Sequence, residues 1–296
     1  VRWRNRERYE IPANQNGLHT DHNTDRATDE AVAFITRMGK GVTPDGCQLA
    51  AGQATGQPFF LYMAYNAPHV PLDAKDTLLY AGQGLPDTDR RYAAMISHMD
   101  ASIGRLMNTL REQGLADNTL VVFASDNGGA KAAGVQTLPL NGALKGWKGE
   151  LWEGGIRVPL MASWTGHIRP GTQTAEPAYF PDFFATFADL IASDTYATGD
   201  GVSLMPLLTG DVTALPERAL YWEQYPRVDI SVALRKGPWK IIRHQVDQPW
   251  QLYNLKEDLG ETTDLAAKYP AIVTDLSRLA EAAHEPSPYW PVYPEK

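Results

Sequence analysis

The sequence predicts an α/β protein with a largely parallel sheet flanked by helices, followed by a small α+β subdomain. Three observations carry this reading. Two nearly continuous apolar runs of strand length, residues 58–65 (PFFLYMAY) and 119–124 (TLVVFA), each hand over at their C-terminal end to polar residues. Such runs read as strands covered on both faces. A long stretch of helical apolar spacing lies between them, and strands alternating with helices are the pattern of a parallel sheet. Past about residue 212 the pattern changes to short strand-like segments separated by turn residues. We therefore divide the chain into residues 1–212, an α/β body, and residues 213–296, a subdomain with a short antiparallel sheet and a terminal helix.

Taken in order, residues 1–23 lack periodicity and read as loop. A helix follows, with Thr24 or Asp25 as its N-cap and Ala27, Ala31, Phe34 and Ile35 on one apolar face. Residues 39–57 are Gly-rich and polar, hence loop. After the run at 58–65 comes an extended loop, Asn66-Ala67-Pro68-His69-Val70-Pro71. Tyr92, Met95, Ile96, Met99, Ile103, Leu106, Met107 and Leu110 keep helical spacing across 87–113, and Gly114 is placed to end that helix. The run at 119–124 ends in Ser125-Asp126-Asn127-Gly128-Gly129. Residues 130–156 read as a long loop, 158–163 as a short strand and 180–191 as a helix. In the last third, segments near 219–223, 231–235, 239–243 and 250–255 look like antiparallel strands, and 272–284 like an amphipathic helix.

Composition narrows the function. The 296 residues are 43% hydrophobic and 21% charged, values of a folded globular chain and not of a disordered one. The formal net charge of -8 lacks the basic footprint of a nucleic-acid binder and leans against long polysulfated partners, while leaving room for a local pocket taking one sulfate or phosphate group. No run approaches the ~18 apolar residues of a membrane-spanning helix. The opening Val-Arg-Trp-Arg-Asn-Arg lacks the apolar core of a signal peptide. The single cysteine, Cys47, has no internal disulfide partner and no adjacent base in sequence.

Candidate chemistry gathers at the predicted strand ends, where α/β sheets place their sites. Asp126 and Asn127 offer hard oxygen donors suited to Ca2+ or Mg2+, and two glycines let the backbone turn sharply beside them. Two donors are too few for either ion, and the same residues also favour an ordinary turn. His69, between two prolines, has the chemistry of a general acid or an oxyanion ligand, or of a histidine bonded to a backbone carbonyl. The stretch from Lys145 to Pro159 (KGWKGELWEGGIRVP) concentrates charge and glycine; its lysines either meet an anion or face water. His98 and Asp100 read as helix residues facing polar neighbours. Ser125 lacks the Gly-x-Ser-x-Gly setting of a hydrolase nucleophile, and no Walker loop, Rossmann fingerprint or His-Glu-x-x-His motif is present.

These pieces in this order resemble the type I sulfatases of the alkaline phosphatase superfamily. The resemblance is carried by Ala27 to Ile35, PFFLYMAYNAPHVP, YAAMISHMDASIGRL, TLVVFASDNGG, LKGWKGELWEGGIRVP and the terminal WQLYNLKEDLGETTDL. It implies that Asp126 and Asn127 complete a Ca2+ site, that Lys148 contacts the transferred sulfate, and that His69 is the proton donor to the leaving alcohol. A metal, a lysine and a histidine around one tetrahedral anion would stabilise the charge that sulfate ester cleavage builds. Lys145 and Trp147 would line the pocket, with Glu153 and Arg157 holding the loop. The resemblance also implies a sulfated small molecule or carbohydrate as partner, neither nucleic acid nor membrane, and a periplasmic or secreted setting.

The sequence departs from the family at one decisive place. Family members carry paired aspartates and a Cys-x-Pro-x-Arg segment whose cysteine becomes formylglycine, the nucleophile. Cys47 is followed by Gln48-Leu49-Ala50 instead. The expectation is a chain that begins downstream of that segment, turns over little alone, and has the missing N-terminal segment as a partner. Two other readings stand beside it: a non-catalytic paralogue that binds a sulfated ligand, and a phosphonate or phosphodiester hydrolase of the same superfamily.

Overall fold

The computed structural model describes residues 2–4, 6–9, 22–40, 58–193, 199–224 and 231–286. The polypeptide forms two compact units, one of residues 1–119 and 132–138, the other of residues 120–131 and 139–296. The 212/213 division drawn from the sequence falls inside the second unit. Cys47 lies outside the described residues, as does most of the loop at 39–57.

The first unit opens with a small antiparallel hairpin, β1 (Arg2–Arg4) and β2 (Glu7–Tyr9). This corrects the loop expected there; three-residue strands are too short to show a period. Helix α1 (Asn23–Gly39) is capped by His22, whose ring accepts from the Thr24 amide, and not by Thr24 or Asp25. Helix α2 (Asp87–Glu112) matches the predicted span to within a residue, and Asp87 and Asp89 place acidic charge in its first turn. The two helices pack on each other. Ala31, Ile35 and Met38 are buried on α1, and Ala94, Met95 and Leu110 on α2. Gly114, at φ +68, follows the helix end. There the Gly114 amide donates to the Arg111 carbonyl and the Leu115 amide to that of Leu110, the left-handed exit that glycine favours.

Residues 58–65 are extended but belong to no strand pairing among the described residues. The two-sided burial expected of them is corrected. Phe60 is 71% and Tyr62 75% exposed, while Phe59 meets Phe34 edge-on at 5.6 Å and the Tyr65 hydroxyl bonds to that of Thr28 at 2.9 Å. An extended chain sends alternate side chains to opposite faces, and α1 covers one of them.

In the second unit, β3 (Val121–Ala124) and β4 (Leu160–Ser163) pair antiparallel, Val121 opposite Ser163 and Ala124 opposite Leu160. All strand pairings among the described residues are antiparallel, so the expected parallel order is not found among them. A parallel pair needs a crossover, usually a full helix. The segment joining β3 to β4 carries no helix longer than the single turn α3 (Glu153–Ile156), and folds straight back. Helices α4 (Pro181–Leu190) and α5 (Met205–Thr209) follow, the latter unforeseen.

The C-terminal part is a meander of β5 (Ala219–Gln224), β6 (Ser231–Lys236), β7 (Trp239–Arg243) and β8 (Gln251–Asn254), ordered β5-β6-β7-β8. Gly237, at φ +56, supplies the conformation that the tight β6–β7 hairpin needs. Helix α6 (Pro270–Ala283) packs on one face of the sheet, where Leu234, Ile241 and Leu252 meet Leu276 and Ala280. The other face carries Ala233, Ile242 and Tyr253, and against these lie Leu151, Trp152 and Ile156. The polar loop singled out in the sequence therefore rests on the C-terminal sheet.

Candidate active site

Two backbone segments of the second unit build the site, the turn at 125–129 and the loop at 141–157. The turn leaves β3 and is joined to the loop by main-chain bonds. The Gly128 amide donates to the Gly155 carbonyl at 3.0 Å, and the Lys148 amide to the Gly129 carbonyl at 3.0 Å. Asn141 adds a side-chain link, accepting from the Gly129 amide at 2.6 Å and donating to the Gly146 carbonyl at 2.9 Å. The glycines are needed for this approach. A Cβ on Gly128 would collide with the Gly154 carbonyl oxygen, and one on Gly155 with that of Glu150.

This stitching sets Asp126, Asn127 and Lys148 on one backbone frame. Asp126 is exposed and Asn127 half-buried. The Asn127 amide nitrogen donates to the Gly128 carbonyl at 2.9 Å. No hydrogen bond or ion pair among the described residues engages the Asp126 carboxylate or the Asn127 amide oxygen. Those oxygens are the hard donors that Ca2+ and Mg2+ select, so the donor chemistry fits the implied ion. Lys148 is exposed, and its ammonium has no carboxylate partner among the described residues. Lys145 is engaged: its ammonium lies 3.5 Å above the Trp152 ring and donates to the Glu261 carbonyl at 3.2 Å. Trp147 is half-buried on the same loop. Ser125 turns its hydroxyl inward to the Asn127 carbonyl at 2.9 Å.

His69 belongs to the first unit. It is exposed, its amide donates to the Asn66 carbonyl, and its Nδ1 lies 2.7 Å from the Val70 carbonyl. A carbonyl can only accept, so Nδ1 carries the hydrogen and Nε2 is the atom left to exchange a proton.

Beneath the loop lies a buried charge network whose Lys240 and Glu261 are absent from the sequence reading. Lys240, fully buried on β7, donates to Glu153 Oε1 at 3.0 Å and pairs with Glu261 Oε1 at 2.8 Å. Glu261 Oε2 accepts from the Glu153 amide at 2.7 Å, and Arg157 donates to Glu153 Oε2 at 2.6 Å. Two carboxylates thus face two cations. Burial pushes the Glu153 carboxyl up, but the charges of Lys240 and Arg157 outweigh it and hold it below its usual range. For Glu261 burial wins over Lys240, and its carboxyl is raised. Burial, with Lys145 nearby, depresses His244, whose ring lies 4.8 Å from that of Trp152. One signal was available for Lys240: it sits between Trp239 and Ile241-Ile242 in a run that otherwise reads as buried strand. A lysine there calls for an acidic partner.

Comparison with known proteins places these features in a family. A family model described as Sulfatase matches residues 2–193, and one described as N-sulphoglucosamine sulphohydrolase, C-terminal, matches residues 146–284. The chain is 33% identical over 253 residues to the "Uncharacterized sulfatase YdeN" of Escherichia coli, covering 83% of this chain and 40% of that protein. It is 33% identical over 234 residues to human arylsulfatase A, covering 78% of this chain and 44% of that one. Among solved structures it is similar to Ps i-CgsB in complex with k-i-k-neocarrahexaose, with a TM-score of 0.76 and 31% identity over 90% of this chain and 56% of that chain. The chain thus spans about half the length of the relatives it matches, or less.

Proposed function

This chain belongs to the type I sulfatase family of the alkaline phosphatase superfamily, and on that premise we propose that it carries part of the machinery for hydrolysing the sulfate ester of a carbohydrate. The observation that carries the reading is the main-chain stitching of the 125–129 turn to the 145–155 loop. It holds two oxygen donors and a lysine without a carboxylate partner among the described residues on one hydrogen-bonded frame. The relative solved with a neocarrahexaose supports a carbohydrate ester.

In the reaction, the ester R–O–SO3− and water become R–OH and HSO4−. The bond from sulfur to the leaving oxygen breaks, and that oxygen takes a proton, a role that the resemblance assigns to His69. Lys148 donates hydrogen bonds to the sulfuryl oxygens, where charge accumulates. Trp147 and the clamped Lys145 would border the sugar. Calcium, with magnesium as the alternative, would be held by Asp126 and Asn127 and would neutralise sulfuryl charge. The nucleophile is assigned by the resemblance to a formylglycine made from a Cys-x-Pro-x-Arg motif that this sequence does not contain. The same reading puts the protein in the periplasm or outside the cell, which fractionation of a tagged full-length protein would check.

The test uses a form that carries such a segment, modified to formylglycine and supplied with Ca2+. A sulfated oligosaccharide and an aryl sulfate should release sulfate, and the matched aryl phosphate should react far more slowly. Lys148→Ala should lower turnover by about 10²–10³-fold, the usual effect of removing a donor to the transition-state oxyanion. Absence of sulfate release would overturn catalysis and leave a protein that binds sulfated ligands. Faster phosphate release would instead favour a phosphoryl-transfer relative.

A further inference from the structure

In the first unit, three side chains from two helices converge. His22 caps α1, Asp25 lies in its first turn, and His98 stands near the middle of α2. One ligand-type atom from each lies within 4.8 Å of the other two, and the two imidazole centroids are 4.7 Å apart. His98 Nε2 is 2.6 Å from Asp25 Oδ1, while its buried Nδ1 has no hydrogen-bond partner among the described residues. A buried nitrogen without a partner is uncommon in a folded protein, and a bound ion is one of its ordinary explanations. His22 is oriented by the Asp73 carbonyl, 2.8 Å from Nε2. An imidazole held in this way at one nitrogen is set to bind a metal through the other. Among the described residues that other nitrogen receives only a long bond, 3.3 Å, from the Thr24 amide. Asp25 also pairs with the Lys75 ammonium.

We propose that His22, Asp25 and His98 form a binding site for one divalent transition-metal ion of the zinc type. Two imidazoles and a carboxylate are the donor set of zinc, cobalt or nickel, whereas calcium and magnesium select oxygen. Three protein ligands leave the remaining position to water. The site uses none of the residues assigned to ester cleavage. Lys75 opposes the ion, since its ammonium occupies Asp25. Its side chain is 46% exposed on a flexible stem, so it can retreat into water as the ion arrives. This opposition gives the site a signature that general loss of structure cannot imitate: removing Lys75 should tighten binding.

The test is calorimetric titration of the metal-free full chain with Zn2+, together with visible absorption on adding Co2+. The expected result is one ion per chain, with cobalt bands of mixed nitrogen and oxygen ligation. Affinity should fall at least tenfold in His22→Ala and in His98→Ala, rise in Lys75→Met, and stay unchanged in Asp126→Asn. Where an alanine variant loses its helical ellipticity, His22→Gln or His98→Gln replaces it. The proposal is overturned if neither the chain nor Lys75→Met binds Zn2+ saturably. It is equally overturned if binding survives both histidine substitutions undiminished.

Discussion

Lys240→Met keeps most of the length and apolar volume of the side chain but deletes the ammonium that lies 3.0 Å from Glu153 and 2.8 Å from Glu261. Both carboxylates are buried, so the variant leaves Glu153 with Arg157 as its ion-pair partner and strips Glu261 of the ammonium that faced it. Breaking a buried ion pair from one side costs about 3–5 kcal/mol. For a body of this size that corresponds to a fall in melting temperature of roughly 6–20 °C. Urea denaturation at pH 8, followed through the fluorescence of Trp152, Trp222 and Trp239, would measure it. A second substitution separates charge from packing. Glu261→Gln keeps an oxygen for the Glu153 amide and removes one stranded charge, so the double variant should recover at least half of the loss. The pH dependence has a definite sign. Without Lys240 the Glu261 carboxyl, already raised by burial, rises further. A carboxyl raised on folding favours the folded state below its unfolded value of ~4.3 and loses that contribution as pH rises through the folded value. The deficit should therefore narrow between pH 8 and pH 5. A loss below about 1 kcal/mol at pH 8, or no recovery in the double variant, would refute the reasoning.

Two further substitutions probe the frames on which the candidate residues stand. Asp89, fully buried in the first turn of α2, accepts from the amides of Gln136, Thr137 and Leu138 and from the Thr137 hydroxyl. Asp89→Asn turns an amide nitrogen toward these donors and should cost about 2–4 kcal/mol. Burial alone would raise the Asp89 carboxyl, but these hydrogen bonds hold it below the usual carboxylate range. Its stabilisation is thus present above ~4 and disappears as pH falls through the folded value, so thermal melts from pH 7 down to 3 should fall less steeply in the variant. Gly128→Ala would drive a methyl into the Gly154 carbonyl and should cost about 1–3 kcal/mol or more in urea denaturation. In a form that carries the N-terminal segment, millimolar Ca2+ should raise the melting temperature, but not when Gly128→Ala or Asp126→Asn is added; an equal shift in all three would remove the turn from the metal site.

Much of the fold was legible wherever the signal is local. The apolar spacing of α2 and the glycine after it located that helix to within a residue, and β7 spans 239–243 as read. The turn residues Asp126-Asn127-Gly128-Gly129 and the Lys145–Arg157 loop stood out by residue type, and Glu153 and Arg157, assigned by the resemblance to holding that loop, prove to be bonded to each other at 2.6 Å. The run at 58–65 shows where this stops. Its apolar content spoke for cover on both sides, but α1 packs on one face and leaves Phe60 and Tyr62 exposed. Apolar content records the preference of a strand for cover and does not say which neighbour supplies it.

By itself the sequence determined the class of protein, the family and the chemical types at the candidate site, because helical and strand periods, caps and turn residues act over a few positions. The tertiary structure decided the rest. It reversed β4 against β3, laid the Leu151–Ile156 segment on the C-terminal sheet, and brought Lys240 and Glu261 beneath it from 87 and 108 residues beyond Glu153 in sequence. It also joined Asp126 and Lys148 through the amides and carbonyls of glycines. Main-chain hydrogen bonds are made by the same atoms in every residue, so the link that assembles the site leaves no mark in the sequence beyond the glycines that let two backbones approach.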